Sequence, residues 1–240
     1  MDSETVEKIH NLNYQFYLNF AEDFSETRQS LQPGVLRLLH LFQPGSSILD
    51  LGCGNGGLAR ELAKNGFPGT YLGTDFSSNL LQKATFDIPG DFPAEFIQLD
   101  LLEPSWQGIF PETPFDIVLS FAVLHHIPGK QGRLKVCRNI RQLISDQGIF
   151  YHSNWQFLKS ERLKRKIIPW SEAGFSENAL EEGDYLLDWK RGGKGIRYVH
   201  HFSPDELSQL AIQTGFRIKD SFYSDGKEGD LSLYQVWEPV

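Results

Sequence analysis

The sequence predicts an α/β fold in which seven strands form a mostly parallel sheet with helices on both faces. Two observations lead to this prediction. Between residues 45 and 153, short apolar runs alternate with amphipathic helical segments, as in sheets whose parallel strands are joined by helices. Two further apolar runs follow near the end of the chain. The turn Asp225–Gly229 separates them, which predicts a C-terminal antiparallel hairpin.

The first 44 residues are predicted to be helical. Phe16, Phe20 and Phe24 recur every four residues, which suits one buried helix face. Ser77 is suited to cap one of the central helices, because its hydroxyl can accept a bond from a free backbone N–H. Strands are expected at residues 47–51, 70–75, 95–99, 115–121 and 148–153, and helices at about residues 56–64, 77–86 and 130–144.

Regular periodicity is lost between residues 154 and 201, so this segment is predicted to be an inserted cap over the substrate side of the sheet. Regularity returns at Ser203-Pro204-Asp205-Glu206, where a proline and acids in the first turn are typical of a helix start. The last helix is expected to end near residue 214. The two final strands are expected at residues 216–223 and 231–237.

Composition excludes several classes of protein. The chain has 240 residues, 40% of them hydrophobic, and no run of apolar residues is long enough to span a membrane. Two cysteines are too few for a disulfide scaffold or for a zinc site of four cysteines. The first residues are polar and acidic, unlike a secretory signal, so a cytoplasmic location is expected.

The formal net charge of −8 by itself argues against a nucleic-acid partner. The distribution of charge weakens that exclusion. Residues 130–141, 159–166 and 190–197 together hold 14 of the 23 Lys and Arg residues but only one of the 31 acidic residues. The second and third segments fall in the predicted cap. We therefore expect a local basic rim on an acidic body, and salt-sensitive binding if RNA is the partner.

The strongest motif is Asp50-Leu-Gly-Cys-Gly-Asn-Gly56, placed where the first strand ends and a helix begins. Its glycines allow a sharp turn and a close approach of the backbone to a ligand. The crevice beyond such a strand end is where open α/β sheets bind nucleotides. The spacing leaves a nicotinamide-dependent enzyme open, because Gly52, Gly54 and Gly57 also fit the dinucleotide pattern.

Two acids narrow the choice of ligand. Asp75 closes the second strand, where the ribose hydroxyls of either kind of ligand would lie. Asp100, followed by Leu101, closes the third strand, where the pair can flank an adenine and its exocyclic amine. The chain is also too short to add the catalytic domain of a dehydrogenase. These features favour an adenosine ligand other than a nicotinamide dinucleotide.

The glycine turn, the two acids and the run FDIVLSFAVLHHI together resemble the class I S-adenosylmethionine-dependent methyltransferases over about residues 45–155. The resemblance implies a Rossmann-like fold with S-adenosyl-L-methionine as cofactor. It implies that Asp75 holds the ribose and that Asp100 holds the adenine. The residues expected to bind the cofactor are Tyr17, Arg28, Asp50, Gly52, Cys53, Gly54, Asp75, Phe76, Asp100, Leu101, Ser120, Phe121 and Ala122.

A narrower resemblance extends outside this core. Phe16-Tyr17, Phe24–Arg28, Asn154-Trp155, Ile168-Pro169-Trp170 and Arg197–Phe202 are similar to segments of the tRNA wobble-uridine carboxymethyl methyltransferases. This chain departs from the family pattern between Trp170 and Arg197. The resemblance implies a carboxylate acceptor on a modified tRNA uridine, and a small partner subunit as in many members of that family.

The chemistry of methyl transfer suggests which residues act on the acceptor. The reaction is an in-line displacement, and a carboxylate acceptor needs no general base, so alignment is the main requirement. Arg28 and Arg197 are candidates to orient such a carboxylate through their two-pronged guanidinium groups. If the acceptor is an amine or a hydroxyl, a base is needed, and His125 or His126 is the first choice.

Other functions remain open at the level of sequence. One is a small-molecule O- or N-methyltransferase acting on a small acid, phenol or amine. The others are a nicotinamide-dependent enzyme and a non-catalytic cofactor-binding protein. No metal is expected, because the adjacent pairs His125-His126 and His200-His201 lack the spacing of a helical metal site. The expected parts are N-terminal helices over the cofactor (1–44), the cofactor-binding core (45–153), the cap (154–201) and the terminal helix and hairpin (202–240).

Overall fold

The computed structural model describes residues 1–26, 30–110, 112–176 and 179–240. Its helices are α1 (Ser3–Glu26), α2 (Pro33–Leu39), α3 (Gly57–Lys64), α4 (Ser78–Phe86), α5 (Lys130–Leu143), α6 (Glu161–Lys164) and α7 (Pro204–Gln213). Its strands are β1 (Ser47–Leu51), β2 (Thr70–Asp75), β3 (Ala94–Gln98), β4 (Phe115–Phe121), β5 (Ile144–Trp155), β6 (Ile167–Ile168), β7 (Asp184–Trp189), β8 (Gly195–His200), β9 (Phe216–Ser224) and β10 (Ser232–Pro239).

The central sheet has seven strands in the order β3-β2-β1-β4-β5-β10-β9. The first five strands are parallel, and β10 lies antiparallel between β5 and β9. The predicted Rossmann-like α/β fold with a C-terminal antiparallel hairpin is therefore confirmed. In the described part of the chain, no helix is both long enough and apolar enough to cross a membrane.

Alternate residues of the parallel strands pack on opposite faces of the sheet, which places helices on both sides. Leu49 and Leu51 share one core with apolar residues of α5 and α7. Ile48 points to the other core, which includes apolar residues of α2 and α3. The carboxyl ends of the parallel strands remain uncovered by these helices, so a ligand can approach them there.

The strand boundaries differ from the sequence predictions mainly at β5. This strand runs from Ile144 to Trp155, and so includes the first residues of the predicted cap. Both of its edges are paired, with β4 on one side and β10 on the other, which extends it in both directions. The strand β3 begins and ends one residue earlier than predicted. Ser77 caps α4 as expected, accepting a bond from Leu80 N at 3.4 Å.

The segment predicted to lack regular structure contains a second sheet. The strands β6, β7 and β8 pair antiparallel in that order. On β8, His200 contacts Asp184 Oδ1 of β7 at 2.8 Å and Glu206 Oε1 of α7 at 2.9 Å. Burial lowers the pKa of His200, but these two carboxylates outweigh it and raise the pKa overall. The small sheet is thus tied to α7 by a partly buried charged contact.

Helix α1 lies against β8 and is held there by one side-chain amide. Asn13 Oδ1 accepts from Tyr198 N at 2.8 Å, and Asn13 Nδ2 donates to Tyr198 O at 3.2 Å. The same Nδ2 lies 3.4 Å from the carbonyl oxygen of His126. The Asn13 amide therefore takes the place of a neighbouring strand beside β8. This contact joins α1 to both β8 and the turn that follows β4.

The helix bends at Phe20, whose φ of −119° and ψ of 17° are not helical. The Phe20 ring lies over the start of β8. A Cβ atom added at Gly195 would lie 2.6 Å from the Phe20 ring and 3.1 Å from the Phe16 ring. Only a residue without a side chain allows this close approach.

The Asn13 contact gives a test of how α1 is attached. We expect Asn13→Ala to lower the free energy of unfolding by about 1–3 kcal/mol, because it leaves the buried N–H of Tyr198 without a partner. Urea denaturation measures this loss. Asn11→Ala is the matched control, since Asn11 is exposed on the same helix. Equal losses in the two variants would contradict the assigned role of Asn13.

Candidate functional site

A cleft opens at the carboxyl ends of β1 to β4, and α1 forms one of its walls. Most of the residues predicted to bind a cofactor meet there. Those that line the cleft are Tyr17, Asp50, Gly52, Cys53, Gly54, Asp75, Phe76, Asp100, Leu101, Phe121 and Ala122, together with the predicted catalytic residue His126.

The glycine turn is held in shape by the neighbouring strand β2. Gly52 N and Cys53 N both donate to the carbonyl oxygen of Thr74, at 2.7 and 2.8 Å. Gly52 has a φ of +80°, and a Cβ atom there would lie 2.3 Å from a Val123 methyl. A side chain at residue 52 is therefore excluded. Gly54 has a φ of +57°, and the space where its Cβ would be is open. At the glycine turn, the cleft is therefore lined by backbone atoms with open space in front of them.

Asp50 is the last residue but one of β1 and is nearly inaccessible, with 4% of its surface exposed. The Tyr71 hydroxyl donates to Asp50 Oδ2 at 2.6 Å. Burial raises the pKa of Asp50 to about 6, and the neighbouring Asp75 adds to the rise, whereas the bond from Tyr71 lowers it. The cleft thus holds a carboxylate whose charge is poorly solvated, and a donor or cation placed beside it would stabilise that charge.

Asp75 connects the glycine turn to the start of α4. Its Oδ2 accepts from Gly54 N at 3.0 Å and its Oδ1 accepts from Ser77 N at 2.9 Å. Burial raises the pKa of Asp75 to about 6, although these backbone bonds act in the opposite direction. Phe76 N also bonds to this carboxylate, which has about four acceptor sites, so the carboxylate can accept a further bond from a ligand in the cleft.

At the end of β3, Asp100 contacts a histidine of α1 that sequence analysis missed. His10 Nε2 lies 2.7 Å from Asp100 Oδ2, and Leu102 N donates to Asp100 Oδ1 at 2.9 Å. The bond to Asp100 raises the pKa of His10. Burial raises the pKa of Asp100, but the bonds from His10 and Leu102 leave it below its ordinary value. The pair thus favours its charged form and holds α1 against the β3 end of the cleft.

The α1 wall of the cleft consists of His10, Asn13, Tyr14 and Tyr17. Sequence analysis identified only Tyr17. The signal that could have found the others is their spacing, since residues three, four and seven positions apart share a helix face. This polar and aromatic face lies beside the apolar stripe that was recognised from its phenylalanines.

Beyond the glycine turn, Tyr17 meets His126. The Tyr17 hydroxyl lies 2.7 Å from His126 Nε2, and His126 Nδ1 lies 3.1 Å from the carbonyl oxygen of Tyr198. A carbonyl oxygen only accepts, so Nδ1 carries a proton. In the neutral imidazole Nε2 is then the acceptor, and the Tyr17 hydroxyl donates to it. His126 is thus fixed in one tautomer at the wall of the cleft.

Other predicted residues lie behind the wall. His125 is buried, and its Nδ1 accepts from Trp155 N at 3.3 Å. Arg197 is also buried, with its guanidinium 4.5 Å from the centre of the Trp155 ring. Ser120 is buried in β4, and its hydroxyl has no hydrogen-bond partner among the described residues. Arg28 lies outside the described residues.

The arrangement is that of the class I S-adenosylmethionine-dependent methyltransferases: a Rossmann-like sheet with a C-terminal antiparallel hairpin, a glycine turn after β1, and acids after β2 and β3. The chain belongs to the methyltransferase domain family, whose model matches residues 24–220. The protein is an enzyme of this class, and its cofactor is S-adenosyl-L-methionine. The nicotinamide alternative is therefore wrong.

Relatives in other organisms are similar over most of the chain. A protein of Encephalitozoon cuniculi, whose name describes it as a methyltransferase, is 29% identical over 226 residues, which cover 94% of each chain. The tRNA (carboxymethyluridine(34)-5-O)-methyltransferase of Schizosaccharomyces pombe is 26% identical and covers 91% of this chain and 94% of that one. A mouse protein named probable tRNA methyltransferase 9B is 27% identical, but this chain spans only 36% of it.

Solved structures support the fold. An S-adenosylmethionine-dependent methyltransferase from Methanosarcina mazei superposes with a TM-score of 0.65 at 21% identity, and the match covers 88% of this chain and 99% of that one. A protein from Pyrococcus horikoshii gives the same TM-score of 0.65 at 19% identity and covers the whole of both chains.

The buried charge of Asp50 predicts opposite effects on stability and on binding. The pKa of Asp50 is about 6 in the fold, against 3.8 for an ordinary Asp, so folding free energy is lost as the pH rises from 3.8 to 6, by up to about 3 kcal/mol in total. We expect Asp50→Asn to raise the melting temperature of the cofactor-free protein at pH 8 and to raise it much less at pH 4, where Asp50 is protonated in the fold and the unfolded chain is only partly ionised. We expect the same variant to bind S-adenosylhomocysteine about tenfold more weakly by calorimetry.

Asp91→Asn is the matched control, because Asp91 is exposed. A stability gain that is equally large at both pH values, or that the control shares, would contradict the role of the buried charge.

The contact between His10 and Asp100 predicts that cofactor affinity depends on pH. The raised pKa of His10 means that the ion pair is complete below the ordinary pKa of about 6.5 and weakens as the pH rises through the raised value. We expect wild-type affinity for S-adenosylhomocysteine to fall about fivefold across this range, up to pH 9. His10→Gln should show a flat profile over the same range, where Asp50 and Asp75 are already ionised. Parallel profiles for the two proteins would refute this role.

Proposed function

We propose that the enzyme transfers the methyl group of S-adenosylmethionine to a carboxylate on a modified wobble uridine of tRNA. The observation that carries the proposal is the hydrogen bonding of His126. Its Nδ1 donates to the Tyr198 carbonyl and its Nε2 accepts from Tyr17. The lone pair that a general base would use is therefore already engaged, which favours an acceptor that is ionised without help.

The cofactor is proposed to run along the carboxyl ends of the strands. The amino-acid end would lie against Asp50, Gly52, Cys53 and Gly54, where the backbone faces open space. Asp75 and Phe76 would hold the ribose, and Asp100 and Leu101 would hold the adenine. The sulfonium would lie over the end of β4, residues 120–122. In this orientation the electron-deficient methyl group would lie near Tyr17 and His126, on the α1 side of the cleft.

The residues at this end can align the reacting atoms. An in-line displacement needs the attacking oxygen, the methyl carbon and the sulfur to be nearly collinear. The Tyr17 hydroxyl and the fixed His126 ring form a rigid wall, because Tyr17 packs edge-on against both Phe16 and His126, at 5.1 and 5.4 Å between ring centres. We propose that this wall positions the acceptor rather than removing a proton from it.

Arg197 is proposed to supply positive charge behind the acceptor. Its guanidinium packs on Trp155, which stacks on His125, and the His125 ring lies 4.4 Å from that of His126. A buried cation is weakly screened, so its field reaches the cleft. Arg28 is proposed for the same task. If the acceptor instead needs a base, His126 and His125 remain the candidates.

The choice of tRNA is supported by the relatives. The S. pombe protein is named for carboxymethyluridine at position 34 of tRNA, and it aligns with this chain over nearly the whole length of both. The main alternative is a small-molecule O- or N-methyltransferase, and a relative of 29% identity is named a 2-methyl-6-phytyl-1,4-hydroquinone methyltransferase. A small partner subunit is proposed by the same analogy to the tRNA enzymes.

One labelling experiment separates these acceptors. The enzyme is incubated with S-adenosylmethionine carrying a tritiated methyl group and with bulk tRNA, with and without lysate as a source of a partner. We expect label in tRNA that mild alkali releases as volatile methanol, because a methyl ester is hydrolysed whereas methyl groups on rings or ribose are not. Alkali-stable label would contradict the carboxylate. Label confined to a small-metabolite fraction would remove tRNA as the acceptor.

A further inference from the structure

We propose that one side of the small sheet binds the phosphates of an RNA acceptor. This surface, termed here the cationic edge, consists of Arg162, Lys166, Lys190 and Lys194. The proposal rests on the proposed function, because it names the surface that would hold the RNA while its base reaches the cleft. It adds a binding site distinct from the cofactor cleft.

Three segments of the chain meet at the cationic edge. Asp188 N donates to the carbonyl oxygen of Lys166 at 2.8 Å, which fixes the residue before β6 beside the end of β7. Lys190 and Lys194 lie in the loop between β7 and β8. Arg162 lies on α6, four residues before Lys166. Cations that are separated in sequence are thus brought to one side of the sheet.

These cations have few acidic partners. Lys190 Nζ lies 2.9 Å from Asp188 Oδ2, whereas Arg162, Lys166 and Lys194 form no ion pair with any described residue. Burial lowers the pKa of Lys166, and the positive charges of Arg197 and Arg162 lower it further. Like charges held this close repel one another, so an anion between them would relieve the repulsion.

The cationic edge is continuous with the proposed site of methyl transfer. Lys166 Nζ lies 5.8 Å from the centre of the Trp189 ring. Trp189 packs edge-on against Phe16 at 5.5 Å, and Phe16 packs against Tyr17 at 5.1 Å. Three aromatic rings therefore connect the charged surface to the wall of the cleft. These rings form one buried cluster, so the cationic edge and the Tyr17 wall of the cleft lie on two sides of the same cluster.

The other basic segment of the chain does not form a comparable surface. On α5, Arg133 is buried and contacts Glu181 at 2.8 Å, and Arg141 contacts Asp146 at 3.3 Å. Lys135 and Arg138 remain exposed on this helix. Since α5 covers a face of the central sheet and is not part of the small sheet, these two residues provide a control matched in charge.

The test compares two double variants of the full chain. Arg162→Glu/Lys166→Glu alters the cationic edge, and Lys135→Glu/Arg138→Glu alters α5; each changes the net charge by the same amount. Binding of labelled tRNA is measured at several salt concentrations. We expect the edge variant to bind at least about tenfold more weakly, and the slope of log affinity against log salt to fall by about 2. The α5 variant should lose less than about threefold. Both should bind S-adenosylhomocysteine as the wild type does, which confirms that they are folded.

Each outcome decides one of the two proposals. Equal losses in the two variants would overturn the cationic edge, because only overall charge would then matter. Wild-type protein that binds neither tRNA nor single-stranded RNA, or that prefers vesicles of anionic lipid, would also overturn it. Edge-dependent binding of RNA without alkali-labile methyl transfer would support the cationic edge and contradict the wobble-uridine carboxylate as the acceptor.

Discussion

The contact between the Asn13 amide and the Tyr198 backbone holds the cleft together. Helix α1 belongs to neither face of the central sheet, and its attachment to β8 keeps it over the strand ends. With Asn13 in place, His10 reaches Asp100 at one end of the cleft and Tyr17 reaches His126 at the other. The cofactor cleft is therefore made by two parts of the chain, and one of them is carried by the small sheet.

The cleft contains two buried carboxylates whose charges destabilise the cofactor-free protein. Asp50 and Asp75 are both buried and both have pKa values raised to about 6, so at neutral pH their ionisation opposes folding. A ligand with hydroxyl groups and an ammonium group offers the donors that these carboxylates lack. The same two side chains therefore affect both cofactor binding and stability. Their buried charges lower the stability of the cofactor-free protein and favour binding of the cofactor.

Local sequence determines the central sheet, which is why it could be predicted. Apolar strands, the glycine turn and the Ser77 cap are each visible within a few residues. The second sheet was missed because β7 and β8 bury polar residues as well as apolar ones. Asp184 can be buried in β7 because Tyr198 and His200 bind it, and these partners lie 14 and 16 residues away in sequence. His10 was missed for the same reason, since its partner Asp100 is distant in sequence.

The close approach of Gly195 to Phe20 has a consequence for variation of the chain. A single methyl group at residue 195 would push on the Phe20 and Phe16 rings, and Phe16 packs on Tyr17. The loop just before it, residues 190–194, is exposed, although a Cβ atom at Gly193 would also lie 3.2 Å from the Phe20 ring. The charged residues Lys190, Arg191 and Lys194 of this loop can thus be replaced, whereas Gly195 cannot gain a side chain unless the Phe20 and Phe16 rings move. The charge of this loop can therefore change while the packing of Phe16 on Tyr17 at the wall of the cleft stays the same.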